Sequence, residues 1–141
     1  MKAEEQNKGL VRTVVEQVWN SRHIAKIPDF YSPEYVADYP QFGPPRKGHA
    51  ALRDWLESLW SAIPDYHEEL HELIAEGDFV VVRLTISGTQ SGNFMGFPAI
   101  GNLKTEEIFI LEIREDKIVR QHGLVDLLPV LRARGANPKD S

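Results

Sequence analysis

The stretch QHGLVDLLPVL, residues 121–131, sets Asp126 in an apolar run four residues after His122. A carboxylate among Val and Leu either caps a helix or faces a pocket. In a pocket, the apolar setting would raise its pKa and suit it to proton transfer near neutral pH. As a cap it would accept N–H bonds from the Leu127-Leu128-Pro129 turn, with Pro129 where a missing N–H does no harm. On a strand, Arg120, His122, Leu124 and Asp126 share one face, and Val119, Gln121, Gly123 and Val125 the other. A face bearing Arg, His and Asp suits a wet pocket better than a core. Asp126 and His122 are therefore the candidate catalytic residues, with His122 either a pocket base or donor or a surface residue.

HEELH, residues 67–71, is a literal H-E-x-x-H. On a helix both imidazoles could meet one zinc. Here the motif follows Pro64-Asp65 and leads into a strand, which would hold the two histidines about 13 Å apart, so no metal site is expected. GTQSGNFMG, residues 88–96, lacks GK[ST] and opens no helix, so it is not a phosphate loop. Arg83 follows VVV in a strand. It either pairs with a carboxylate such as Glu107 or Glu112, or holds a substrate carbonyl or carboxylate.

The elements that must position these residues fall into two kinds. Leu10, Val11, Val14, Val15, Val18 and Trp19 recur at helical spacing and predict a helix over about 4–20. A short helical segment is expected near 23–30. SPEYVADYP, bracketed by Pro33 and Pro40, reads as an extended edge piece. Leu52, Trp55, Leu56, Leu59, Trp60 and Ile63 mark a second helix from about His49 until Pro64. The period then changes. Residues 66–75 and 79–88 read as strands turned at Glu76-Gly77-Asp78, and residues 103–114 and 117–125 as a pair turned at Glu115-Asp116. A last short helix over 127–134 ends at Gly135. Helices first and a meander afterwards predict the α+β class, a curved, mostly antiparallel sheet packed on the N-terminal helices.

The 141 residues, 42% hydrophobic and 26% charged, suit one globular domain over 1–141, ordered over about 4–135. No apolar run approaches the roughly 18 residues of a membrane helix, and the acidic, polar start is unlike a secretory signal. A cytoplasmic protein with no membrane partner is expected. The net charge of −5 and the scattered basic residues argue against nucleic acid. Without cysteine there is no disulfide, thiol nucleophile or thiolate metal site.

The order of elements, with IPD (63–65), IAEGDFVVVR (74–83), GTQSGNFMGFP (88–98), DKIV (116–119) and D-x-L-x-x-L-x-x-x-G from Asp126, resembles the SnoaL-like polyketide cyclases. These are ester cyclases of the nuclear transport factor 2-like superfamily. The resemblance implies a cone-shaped α+β barrel with a deep, mostly apolar pocket, a small-molecule substrate, no cofactor and a homodimer. It also implies that Trp19, Tyr39, Phe42, Trp55, Phe94 and Phe97 contact substrate, with Arg83 and Glu107 beside them; Trp60 and Met95 are further pocket candidates. Against the DKIV motif, the family's acid/base aspartate falls on Gly123 and a histidine of the preceding strand on Phe109. Activity of that kind therefore requires neighbouring residues to take over.

The resulting expectation is a cofactor-free enzyme that abstracts a proton beside a carbonyl of a polyketide-like or polycyclic compound, for ring closure or isomerisation through an enolate. Asp126 or His122 would move the proton, while Tyr39 and Arg83 position oxygen. The alternatives are an epoxide hydrolase or dehydratase, for which Arg83 is available but a second buried aspartate is not evident, and a binding protein without chemistry. Fold alone does not choose among them.

Overall fold

The structure, a computed structural model, describes residues 2–133. Helix α1, Lys2–Val14, buries Val11 and Val14, and the chain continues as a π-helical turn over Val15–Asn20. That wider winding brings polar side chains to the sheet. The Trp19 indole N–H donates to the Tyr31 hydroxyl at 2.9 Å, and the Asn20 amide exchanges two hydrogen bonds with the backbone of Glu68, at 2.9 and 2.8 Å. Helix α2 is the single turn Ile27–Phe30, and helix α3 runs Gly48–Ala62, ending two residues before Pro64 as its sequence requires.

Six strands form one sheet: β1 Tyr31–Asp38, β2 Arg46–Lys47, β3 His67–Glu76, β4 Phe79–Gln90, β5 Gly101–Arg114 and β6 Lys117–Val125, in the order β2-β1-β6-β5-β4-β3. Every neighbouring pair is antiparallel except β1 with β6. The β5–β6 hairpin turns at Glu115-Asp116, both at positive φ as a tight two-residue hairpin of the favoured hand demands. The segment read as an edge piece lies one strand inside the sheet, between the two-residue β2 and β6. Its Pro33 is accommodated where the β1–β6 register jumps between Tyr31 and Val36, so its missing N–H breaks no ladder. HEELH lies in β3, extended as expected.

Period-2 alternation decides what each strand buries. Val80, Val82, Leu84 and Ile86 of β4 and Phe109, Leu111 and Ile113 of β5 turn inward against Val11, Val14 and Val18 of the N-terminal helical run, and Leu56 of α3 packs into the same core. The opposite face leaves Ile74, Phe79, Ile108, Ile110 and Leu124 exposed. Helix α4, Leu128–Ala133, follows β6; Arg134 and Gly135, expected to end it, lie outside the described residues. Among the described residues no helix is long and apolar enough to cross a membrane.

Candidate active site

Between the concave face of the sheet and α3 lies an open cavity of about 840 Å³, counted to its mouth. One wall is a chain of aromatic rings: Tyr39 stacks on Phe42 at 6.2 Å between centroids, Phe42 meets Trp55 at 5.5 Å, and Trp55 meets Phe94 at 5.0 Å. Phe94 and Phe97 come from the glycine-rich connection before β5, which closes on itself through two backbone hydrogen bonds between them. The buried Gln90 holds that loop in place, its amide N–H donating to the carbonyls of Gly92, Phe97 and Pro98 at 3.0–3.3 Å.

Inside the cavity stands one carboxylate, Glu107. The β5 alternation Thr105-Glu107-Phe109-Leu111 turns it inward with its apolar neighbours, and it is 6% exposed. It ends a directional chain. The Tyr35 hydroxyl donates to Gln121 Oε1 at 3.1 Å, Gln121 Nε2 donates to the Tyr39 hydroxyl at 2.6 Å, and that hydroxyl donates to Glu107 Oε2. Oε1 accepts from no described residue and is not fully enclosed, so it faces the cavity. Burial raises the Glu107 pKa to about 7, the Tyr39 hydrogen bond opposing only part of the shift. A second buried carboxyl, Glu68, lies in a small crevice behind the Trp19–Gln121 wall and accepts from the Tyr66 hydroxyl at 2.5 Å. Burial and the Glu107 charge push it up to about 8, against the Tyr66 hydrogen bond. Both carboxyls are thus held toward their protonated forms, and a charge on Glu107 further opposes ionisation of Glu68.

Gly123 explains why Glu107 can sit there. It pairs with Phe109 across β5–β6, on the inner face. A Cβ at this position would stand 2.6 Å from Phe109 Cβ and 2.8 Å from the Tyr39 hydroxyl. Tyr39 thus fills the space that an acid/base aspartate at Gly123 would need, and brings its hydroxyl to Glu107 instead.

Of the residues singled out in the sequence, Trp19, Tyr39, Phe42, Trp55, Phe94, Phe97 and Glu107 line the cavity. The catalytic candidates do not. Asp126 is exposed and its Oδ1 accepts the Leu128 N–H at 3.0 Å, so the capping alternative describes it. His122 projects from the opposite face of β6, its side chain 53% exposed and 3.6 Å from Asp38. The alternation along β6 was correctly read, but the inner face is the one bearing Gln121, Gly123 and Val125. Arg83 also faces outward, paired with Glu72 at 2.6 Å and Glu106 at 2.7 Å rather than with Glu107 or Glu112. Met95 is 44% exposed at the tip of its loop, and Trp60, on α3, is buried outside the lining. The sequence reading passed over Tyr35, Arg46, Glu68 and Gln121. The signal available for Glu68 and Gln121 was a polar residue in phase with an apolar half-strand.

A cone of sheet and helix around a mostly apolar hollow is the fold of the nuclear transport factor 2-like, or ketosteroid isomerase-like, proteins. Within that class the chain belongs to the SnoaL-like polyketide cyclase family, whose pattern matches residues 9–134. No curated protein sequence matches it. The fold is shared with a candidate SnoaL-like polyketide cyclase from Jannaschia sp. CCS1, at 21% identity and TM-score 0.84 over 96% of this chain and 95% of that one. It is shared with AclR, a candidate hydroxylase from Streptomyces galilaeus, at 24% identity and TM-score 0.80 over 95% and 99%. A protein with a ketosteroid isomerase-like fold from Catenulispora acidiphila, solved with trimethylamine, aligns at 16% identity and TM-score 0.74 over 94% and 95%.

Proposed function

We propose that this protein is a cofactor-independent acid/base enzyme acting on a carbonyl compound of polyketide type, with Glu107 as the proton carrier. The observation that carries this reading is Glu107, the one carboxylate among the described residues that lines the cavity, with one oxygen held by Tyr39 and the other open. A carboxylate that titrates near neutral pH can both take and return a proton. Glu107 removes a proton from the carbon beside a carbonyl, and the C–H electron pair moves into the enolate. For ring closure, the enolate carbon attacks a second carbonyl of the same molecule, whose oxygen takes the proton back from Glu107. For isomerisation, the proton returns to a different carbon. Either way the carboxylate is regenerated, and flanking carbonyls delocalise the charge. Tyr39, Gln121 and Tyr35 fix the direction of the working oxygen. The epoxide hydrolase alternative draws no support from Arg83, whose partners are the outward glutamates Glu72 and Glu106.

A homodimer formed through the outer sheet face belongs to the same reading. The exposed row of Ile74, Ile108, Ile110 and Leu124 is an apolar surface of the kind that associates.

The test is exchange of the α-hydrogen of polyketide-like 1,3-dicarbonyl compounds in heavy water. Wild type should accelerate it, and Glu107→Gln should lose roughly 10²–10⁴-fold, the usual weight of a general base. His122→Ala and Asp126→Asn should keep the wild-type rate. Undiminished exchange by a folded Glu107→Gln protein would end the proposal.

A further inference from the structure

All but one of the neutral side-chain hydrogen-bond donors lining the cavity are engaged within the protein. Trp19, Tyr35, Tyr39, Gln90 and Gln121 donate as described, Tyr66 donates to Glu68, and the Thr105 hydroxyl donates to the Asp126 carbonyl. What remains is the guanidinium of Arg46 and the indole N–H of Trp55, and these two side chains lie together. Arg46 sits over the Trp55 ring at 3.6 Å from its centroid and faces the Tyr39 ring at 6.0 Å. Its place on β2 opposite the buried Ala37 turns it toward the cavity, which it lines, while Lys47, opposite Val36, turns outward.

Arg46 has no carboxylate within ion-pair distance among the described residues. Arg83, Arg114 and Arg120 all do. A half-buried guanidinium stacked on an indole keeps its charge and its planar fork of donors, and the ring covers one face only. The edge of the fork stays open. Leaving such a group partly desolvated without a counter-charge is costly unless a ligand completes it.

We infer that Arg46, braced on Trp55, is an anion subsite of the cavity, and that the substrate carries an anionic oxygen group, a carboxylate or an ionised phenol or enol, on the part lying against it. This deepens the proposed reading of the same cavity by adding a substrate class. The rings lie along the aromatic wall, the charged oxygens dock at Arg46, and the acidic C–H is presented to Glu107. A planar, doubly donating guanidinium suits two coplanar oxygens, so carboxylates and ionised 1,3-dicarbonyls are favoured over isolated alcohols.

Calorimetric titration with 2-naphthoate and with its methyl ester, near pH 6 so that Glu107 is largely protonated, tests the subsite. Wild type should bind the carboxylate at least about tenfold more tightly than the ester, a difference expected of a charge-assisted pair. Arg46→Gln should lose that preference while ester affinity stays within about threefold, which shows the cavity intact. Arg46→Lys should fall between, and Glu107→Gln should keep the preference. Equal or undetectable binding of the carboxylate to wild type overturns the inference, as does a preference surviving in Arg46→Gln. The two readings fail separately. Carboxylate preference without Glu107-dependent hydrogen exchange removes the proton carrier alone, and the reverse removes the anion subsite alone.

Discussion

The two faces of the sheet carry similar side-chain types and do different things with them. On the outer face, Asp38 lies by His122 and Arg120, and Arg83 lies between Glu72 and Glu106; the arginines meet their carboxylates at 2.6–3.4 Å, with the arginine side chains 38–51% exposed. Such pairs cost little to form and hold little energy. On the inner face, Glu107 has no cation beside it but a relay of neutral donors, and its proton affinity rises. Chemistry therefore depends less on which residues are present than on which side of the pleat they stand. A carboxyl buried on the inner face holds its proton more tightly than a solvated one.

The contrast can be broken most severely at Gly123. Gly123→Asp would drive a Cβ into Phe109 and Tyr39 and add a buried carboxyl beside Glu107. Overpacking and an uncompensated polar group should together cost roughly 2–5 kcal/mol, read as a fall in denaturant midpoint. A variant as stable as wild type would show that the inner face has room for the family's aspartate.

Next comes Glu68, whose folded pKa lies above its unfolded value. The native state therefore holds a proton that the unfolded state has already released. The resulting stability is fully present below about pH 4.5 and is lost as pH rises through about 8, Glu107 adding the same trend up to about 7. Melting temperature should decline across that window, and Glu68→Gln should flatten the decline, being relatively more stable above it. A wild-type melting curve that rises over the same window would contradict the raised carboxyls.

The outer face is tested by Ile108→Glu. If the apolar row joins two copies, the substitution places a charge on both sides of the contact. It should weaken association at least about tenfold in sedimentation while leaving α-hydrogen exchange per folded chain intact. Unchanged association would move the interface elsewhere. The smallest effect is expected at Asp126, where Asp126→Ala should remove a capping bond worth about 0.5–2 kcal/mol in melting experiments without changing exchange. Loss of exchange there would return Asp126 to the catalytic role its sequence context suggested.

Much of this molecule was written locally. Helical spacing in α1 and α3, the stop at Pro64, the Glu115-Asp116 turn and the strand periods all follow from neighbours a few residues apart, and each formed close to where it was expected. The aromatic wall was legible through the family resemblance. The parity of β6 was legible too, but parity gives two faces and not which is inside. Only the packing of the helices onto one side of the sheet chose Gln121, Gly123 and Val125 over Arg120, His122 and Leu124. The buried relay is likewise assembled across distance: Tyr39 reaches Glu107 over 68 residues of chain, and Tyr35 reaches Gln121 over 86. Local sequence determines the repeat along each strand, because dihedral preferences and side-chain alternation act within a few residues. The tertiary structure decided which carboxylate loses its water, because desolvation depends on everything that folds over it.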